Sequence, residues 1–195
     1  MRVALCLDAP RGLSHFGHAC APDVPGCAGA PLPMSAHRRR GLPPVLAADT
    51  RVLILGSFPG EASLAARQYY AHPRNHFWPL LAEIVGEPLA AMPYADRLAR
   101  LRAHRIGVWD TIVACERAGS LDTAIRAATR AETSRVRAEA PLVALVCFNG
   151  RTAARAEAAW RAVGYATIAL PSTSPAYTRP LAEKLAAWRA IADHL

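Results

Sequence analysis

Three short apolar runs, Arg51–Leu55, Leu142–Phe148 and Ala166–Leu170, are separated by stretches of helical spacing, and this alternation most limits the folds open to the chain. Leu142–Phe148 is apolar throughout rather than at every second residue, as expected of a strand covered on both faces. Gly107–Trp109 reads as a further short strand. Helical spacing marks His76–Val85, which stops at Gly86 with Pro88 beyond, and then Tyr94–His104, Leu121–Ala127 and Glu132–Ala140. Thr152–Val163 follows a Gly150 turn, and Pro180–Leu195 opens with proline at a favourable first-turn position. Strands alternating with helices predict an α/β fold with a mostly parallel sheet and helices on both faces. Functional loops in such folds leave the C-terminal ends of strands, which points to 56–63 and 171–179.

The 195 residues fit one ordinary domain, or one domain and a tail; 52% hydrophobic and 19% charged residues exclude global disorder. No apolar run approaches the roughly 20 residues needed to span a bilayer, so an integral membrane protein is not expected. The net charge of +8 favours a polyanionic partner such as nucleic acid, and it is carried almost wholly by arginine, Lys184 being the only lysine. The five cysteines, Cys6, Cys20, Cys27, Cys115 and Cys147, form no CxxC pair, favouring neither a disulfide framework nor a zinc site. A reducing cytoplasm follows as the default location. Residues 1–40 lack helical or strand periodicity and any signal-peptide pattern, and Met34 offers an alternative start. They are read as an N-terminal extension, disordered or an over-extended start, ahead of a domain at 41–195.

Two loops carry the chemistry. Gly56-Ser57-Phe58-Pro59-Gly60 follows the first strand but is neither GxGxxG nor GxxxxGK[ST], so a nucleotide-hydrolysing P-loop is set aside. Just downstream, six of the ten residues in Tyr69-Tyr70-Ala71-His72-Pro73-Arg74-Asn75-His76-Phe77-Trp78 are aromatic or histidine. Trp78 reads as core and Asn75 as either a helix cap or a site residue. Tyr70, His72 and Asn75 beside a Gly/Pro loop suit a pocket that stacks a flat ring and places an amide near it. The second loop, Leu170-Pro171-Ser172-Thr173-Ser174-Pro175-Ala176-Tyr177-Thr178, is either a rigid turn or a phosphate-gripping, groove-wedging tip.

Taken in order with Gly107-Val108-Trp109-Asp110, Gly119-Ser120-Leu121-Asp122 and Phe148-Asn149-Gly150, these segments resemble the uracil-DNA glycosylase superfamily over roughly 50–195. The spacing is most similar to its DNA-deoxyinosine (hypoxanthine-DNA) glycosylase branch. The resemblance implies a three-layer α/β/α domain with a central four-stranded sheet. It also implies removal of a deaminated base from DNA, with no cofactor or metal. Tyr70 takes the place of the aromatic that stacks on the flipped base, with Ser57, Phe58 and Asn149 as further base-binding candidates, Asn149 being equally readable as a turn residue. Gly60 and Ser172, Thr173, Ser174, Pro175 and Ala176 are the candidate DNA contacts, and Asn75 is the candidate catalytic residue. Phe58 stands where related enzymes place a water-orienting Asn or Asp, and Ser172 where the classical uracil enzymes place a histidine. The catalytic burden therefore moves to Asn75. Glu61, the only carboxylate near the first loop, and His72 are additional candidates.

The expected reaction extrudes the nucleotide at a cost of a few kcal/mol, lowest at a mispair, and hydrolyses the N-glycosidic bond. Stacking on Tyr70 would return about 1–3 kcal/mol. Backbone N–H groups of 56–60 and a side-chain amide would stabilise the departing base. No lysine near either loop argues against a Schiff-base lyase step. The alternatives are a uracil or xanthine mismatch glycosylase, or a catalytically silent DNA-binding domain. A monomer suffices for one lesion per site.

Overall fold

Strand β2 (Val52–Gly56) is buried at every residue and lies inside a four-stranded, all-parallel sheet, the alternation of its side chains supplying two cores. Val52 and Ile54 face one side with Phe77, Trp78, Leu101 and Trp188. Leu53 and Leu55 face the other with Trp109, Val136, Phe148 and Trp160. Both faces of β2 are packed by apolar side chains, which is why it reads as an unbroken apolar run. The computed structural model describes residues 38–195; the reading of residues 1–37 as an extension lies outside the described residues.

In chain order the elements are β1 (Arg38–Arg40), β2, α1 (Glu61–Ala66), α2 (Phe77–Val85), α3 (Tyr94–Ala103), β3 (Ile106–Asp110), β4 (Ile112–Glu116), β5 (Arg126–Arg130), α4 (Thr133–Glu139), β6 (Leu145–Asn149), α5 (Arg151–Ala154), α6 (Glu157–Ala162), β7 (Ala166–Leu170) and α7 (Leu181–Trp188). The parallel sheet has the order β3-β2-β6-β7, with Leu55 level with Trp109 on one side and Phe148 on the other. The chain runs from β2 to β3 on one side of it and later returns past β2 to β6 on the other. That topological switch opens a crevice at the C-terminal ends of the strands.

The structure differs from the sequence reading at four places. A second sheet, β1-β4-β5, runs antiparallel beside the first. It recruits Arg38–Arg40, so the folded domain begins before residue 41. Leu121–Ala127, read as helical, is a short 3-10 turn at Asp122–Ala124 followed by strand β5. Every residue of β5 is exposed, so the strand is held by its ladder to β4 and carries no apolar periodicity. β6 begins at Leu145 rather than Leu142, which is 52% exposed. Thr152–Val163 is two helices, α5 and α6, with no proline or glycine at the break to explain it. Among the described residues no helix is long and apolar enough to cross a membrane.

Candidate active site

A cleft of about 520 Å³ opens at the switch point and is lined by the segments after β2, β3, β6 and β7. It gathers Ser57, Phe58, Gly60, Glu61, Tyr70, His72, Asn75, Asn149 and Ser172–Ala176, every candidate residue of the sequence reading.

Asn75 sits just ahead of α2 and its Oδ1 accepts the Phe77 N–H at 2.9 Å. That bond ties Asn75 to the first turn of α2, where His76 is the N-cap residue, and Asn75 also lines the cleft. With Oδ1 committed to the helix, the part of the amide left for a ligand is the Nδ2 donor pair. His72 Nδ1 accepts the Arg74 N–H at 3.1 Å, so its Nε2 is the ring atom left for the cleft.

Tyr70 stacks on the fully buried Phe77 with ring centroids 3.8 Å apart and planes 18° apart. Its backbone is left-handed, φ 54°, a conformation that non-glycine residues adopt at a cost and that recurs at binding sites. Burial, with the Asp110 charge adding to it, pushes its phenol pKa up, so the group is a neutral hydroxyl. That oxygen accepts from Asn149 Nδ2 at 3.2 Å. The second Nδ2 hydrogen goes to Thr173 Oγ1 at 2.9 Å, and Asn149 Oδ1 accepts the Thr173 N–H at 2.9 Å. Asn149 thus acts as a clasp between the stacking tyrosine and the last loop.

Thr173 is 1% exposed, so its side chain holds the loop from inside rather than reaching outward. The loop is pinned further where His76 N–H donates to Thr173 O and Trp188 Nε1–H to Pro171 O. Ser172 and Ser174 hydroxyls accept the N–H groups of Ser174 and Ala176, which leaves Pro175 and the exposed Ala176 at the tip. Gly150 is required by its φ of 93° and because a side-chain carbon there would stand 2.8 Å from Ser172 Cβ.

The first loop is braced from behind. Phe58 is buried with Ile112 and Cys115, and the Arg117 guanidinium lies 4.8 Å over its ring. Arg117, itself 2% exposed, donates to the Pro59 carbonyl. A ring so enclosed offers the cleft little beyond its backbone. Ser57 donates to both carboxylate oxygens of Asp122 at 2.9 Å. Glu61 pairs with Arg39 at 3.4 Å on the rim.

Two sequence expectations are corrected. Glu61 is not the only carboxylate near the first loop: Asp110, at the end of β3, and Asp122 both line the cleft. Asp110 is 4% exposed. A residue directly after an apolar strand reads as a turn former, and only the pairing of β3 with β2 turns it inward. Nor is lysine remote from the loops, because Lys184 Nζ donates to Tyr177 O at 2.7 Å and lies 3.2 Å from His76 Nδ1. Lys184 is 1% exposed, so it anchors the last loop as a buried donor. Burial, and then Lys184, lower the His76 pKa, keeping that imidazole a neutral acceptor.

Gly56 has no space for a side chain, since any carbon there would collide with Asp110 Oδ1 and stand 3.2 Å from Tyr70 Oη. Gly56→Ala is expected to displace one of these groups and to lower the melting point by several degrees, read by thermal unfolding. Among the described residues no group of three His, Cys, Asp or Glu converges to hold a metal ion.

Residues 43–195 match the model of the uracil DNA glycosylase superfamily. The chain is 41% identical over 151 residues to the hypoxanthine DNA glycosylase of Methanosarcina barkeri, covering 77% of this chain and 96% of that protein. It is 40% identical over 156 residues to the hypoxanthine DNA glycosylase of Methanosarcina acetivorans, covering 80% and 99%. A solution structure from Methanosarcina acetivorans, described as a uracil DNA glycosylase, superposes with a TM-score of 0.73 at 38% identity, over 81% of this chain and 98% of that one. On the sheet order, the cleft at its switch point and these matches, the chain belongs to the uracil DNA glycosylase superfamily.

Proposed function

We propose that this protein is a monofunctional DNA glycosylase that extrudes and hydrolytically removes hypoxanthine from deaminated DNA, in base excision repair. Relatives bearing the name hypoxanthine DNA glycosylase match it over almost their whole length. The observation that carries the mechanism is the amide of Asn75, its oxygen tied to the Phe77 N–H and its two N–H groups left for a base in the cleft.

Cleavage breaks the bond between C1′ and N9, leaves positive charge on the sugar and sends the electron pair onto the purine. Hypoxanthine spreads that charge to its 6-oxygen, where donors are most effective. Asn75 Nδ2 is the donor assigned to it. An amide with its oxygen engaged cannot take a proton from water, so water adds to a sugar already close to a cation, and a modest rate is expected. Tyr70, backed by Phe77, offers its other face for stacking. Pro175 and Ala176 at the tip of the last loop are assigned to the minor groove.

The test is hot-alkali strand cleavage of labelled duplexes holding a single inosine, uracil or xanthine. Nicking at inosine, fastest of the three, is expected; nicking at uracil or xanthine with none at inosine overturns the base assignment. Tight, salt-sensitive binding without nicking would make the chain a silent DNA-binding domain. Arg74 and Arg151 are exposed on segments that line or flank the cleft. Replacing either with alanine is expected to weaken duplex binding evenly across sequences and to lower the slope of log K against log salt by about one, measured by titration at several salt concentrations.

A further inference from the structure

The antiparallel sheet β1-β4-β5 has no task in the mechanism above, and its charge is one-sided. Its strands carry Arg38, Arg39, Arg40, Arg126 and Arg130 against a single carboxylate, Glu116. Arginines on α3, α4 and α6 stand in ion pairs, Arg100 with Glu87, Arg135 with Glu139 and Arg161 with Glu157. In the sheet, among the described residues, only Arg39 does so, with Glu61. The ladder sorts these side chains between two faces, since residues paired across strands share a face. Arg39 is level with the buried Cys115 and turns toward Glu61. Arg38 is level with Glu116 and then Arg126, and Arg40 with Ala114 and then Thr129, so these residues share the opposite face. Arg38 donates to Thr129 Oγ1 across it. Arg38, Arg40 and Arg126 are exposed there, and Glu116 offsets one of their three charges. β5 buries nothing, so packing does not call for arginine on it.

We propose that the outer face of this sheet is a second DNA-contacting surface, on which Arg38, Arg40 and Arg126 hold phosphates of the duplex flanking the lesion. The proposal rests on the glycosylase reading and extends the footprint beyond the cleft. The sheet adjoins the cleft at two places. Arg39 pairs with Glu61 on the rim, and Arg126 Nη1 donates at 2.8 Å to the carbonyl of Thr123, which lines the cleft. That bond leaves Arg126 Nε and Nη2 as donors for a ligand. Arg38 and Arg40 rise from β1 about 7 Å apart, and Arg126 stands about 10 Å across the sheet from them. A duplex carries one charge per ~1.7 Å of its axis, so this spread spans several phosphates. Because the sheet lies to one side of the cleft, it meets one flank of the lesion and not the other.

Binding is measured by titration of the full chain with duplexes holding one non-cleavable 2′-fluoro-deoxyinosine, which fixes the register. The duplex is kept to about 10 base pairs around the lesion or lengthened by about 20 on either flank. Lengthening one flank, and only one, is expected to tighten wild-type binding about 10-fold. It should also steepen the slope of log K against log salt by about 2–3, each phosphate contact adding about 0.9. Arg38→Glu, Arg40→Glu and Arg126→Glu combined should lose both gains and hold the short duplex as wild type does. Glu116→Gln removes the opposing charge and should tighten the long complex roughly 3-fold, a gain that misfolding cannot give. Charge on an exposed edge also discourages pairing with another chain, and glutamate serves that end as arginine does. A reversed variant that binds both duplexes like wild type would leave the arginines with edge protection alone and overturn the proposal. Equal weakening on short and long duplexes, equal gains from both flanks, or a Glu116→Gln complex no tighter than wild type also overturns it. Excision of inosine, uracil and xanthine is scored separately. Absence of nicking defeats the glycosylase reading alone, and the same variants on a long lesion-free duplex still judge the sheet.

Discussion

Asn75→Ala is expected to slow hypoxanthine excision by about 10²–10³-fold, the usual cost of removing one donor from a site where negative charge develops. The same change removes the acceptor for the Phe77 N–H, a loss worth about 1 kcal/mol, so a lower melting point alone would not reveal a catalytic role. Asn75→Asp divides the two contributions. Its carboxylate still accepts the Phe77 N–H, and it has no N–H to offer. Single-turnover rates should fall in both variants, while the melting temperature should drop by roughly 2–4 °C in Asn75→Ala only. A fast Asn75→Asp enzyme would remove the donor role from Asn75.

Asn149→Ala is expected to cause the largest loss of stability among the cleft residues. The substitution deprives the Thr173 N–H and Oγ1 and the Tyr70 hydroxyl of their partner, and Asn149 and Thr173 are both buried. Stranding buried polar groups costs about 1–3 kcal/mol each, so a total near 3 kcal/mol and a melting point lower by roughly 6–12 °C are expected. Activity should fall further than stability explains, because Tyr70 and the last loop lose their common tie. The check is excision measured well below the variant's melting temperature. Rates restored to wild type there would make Asn149 a purely structural clasp.

The parts of the fold written by hydrophobic burial were legible in the chain, and the parts written by hydrogen bonding alone were not. β2 and β6 stand out because Val52–Leu55 and Leu145–Phe148 are packed on two faces. β5 could not be found this way: Arg126–Arg130 buries nothing, and its extended form depends on β4 lying beside it. The cleft's position followed from strand order, and the candidate residues do line it. What each of them touches was not legible. Asn149 looks like a turn residue until Thr173, 24 positions on, is seen to take both ends of its amide. Asp110 looks like a strand terminator until Gly56, on the neighbouring strand, is seen to make room for it. Such relations depend on register between distant segments, which carries no local signal.

Lys184, the single lysine of the chain, is enclosed between α2 and the last loop. Amine-directed reagents should reach Lys184 only on unfolding. The same scarcity bears on control in the cell. Acetylation weakens many nucleic-acid-binding proteins by erasing ammonium charge, and here almost all the positive charge is guanidinium, which that modification does not reach.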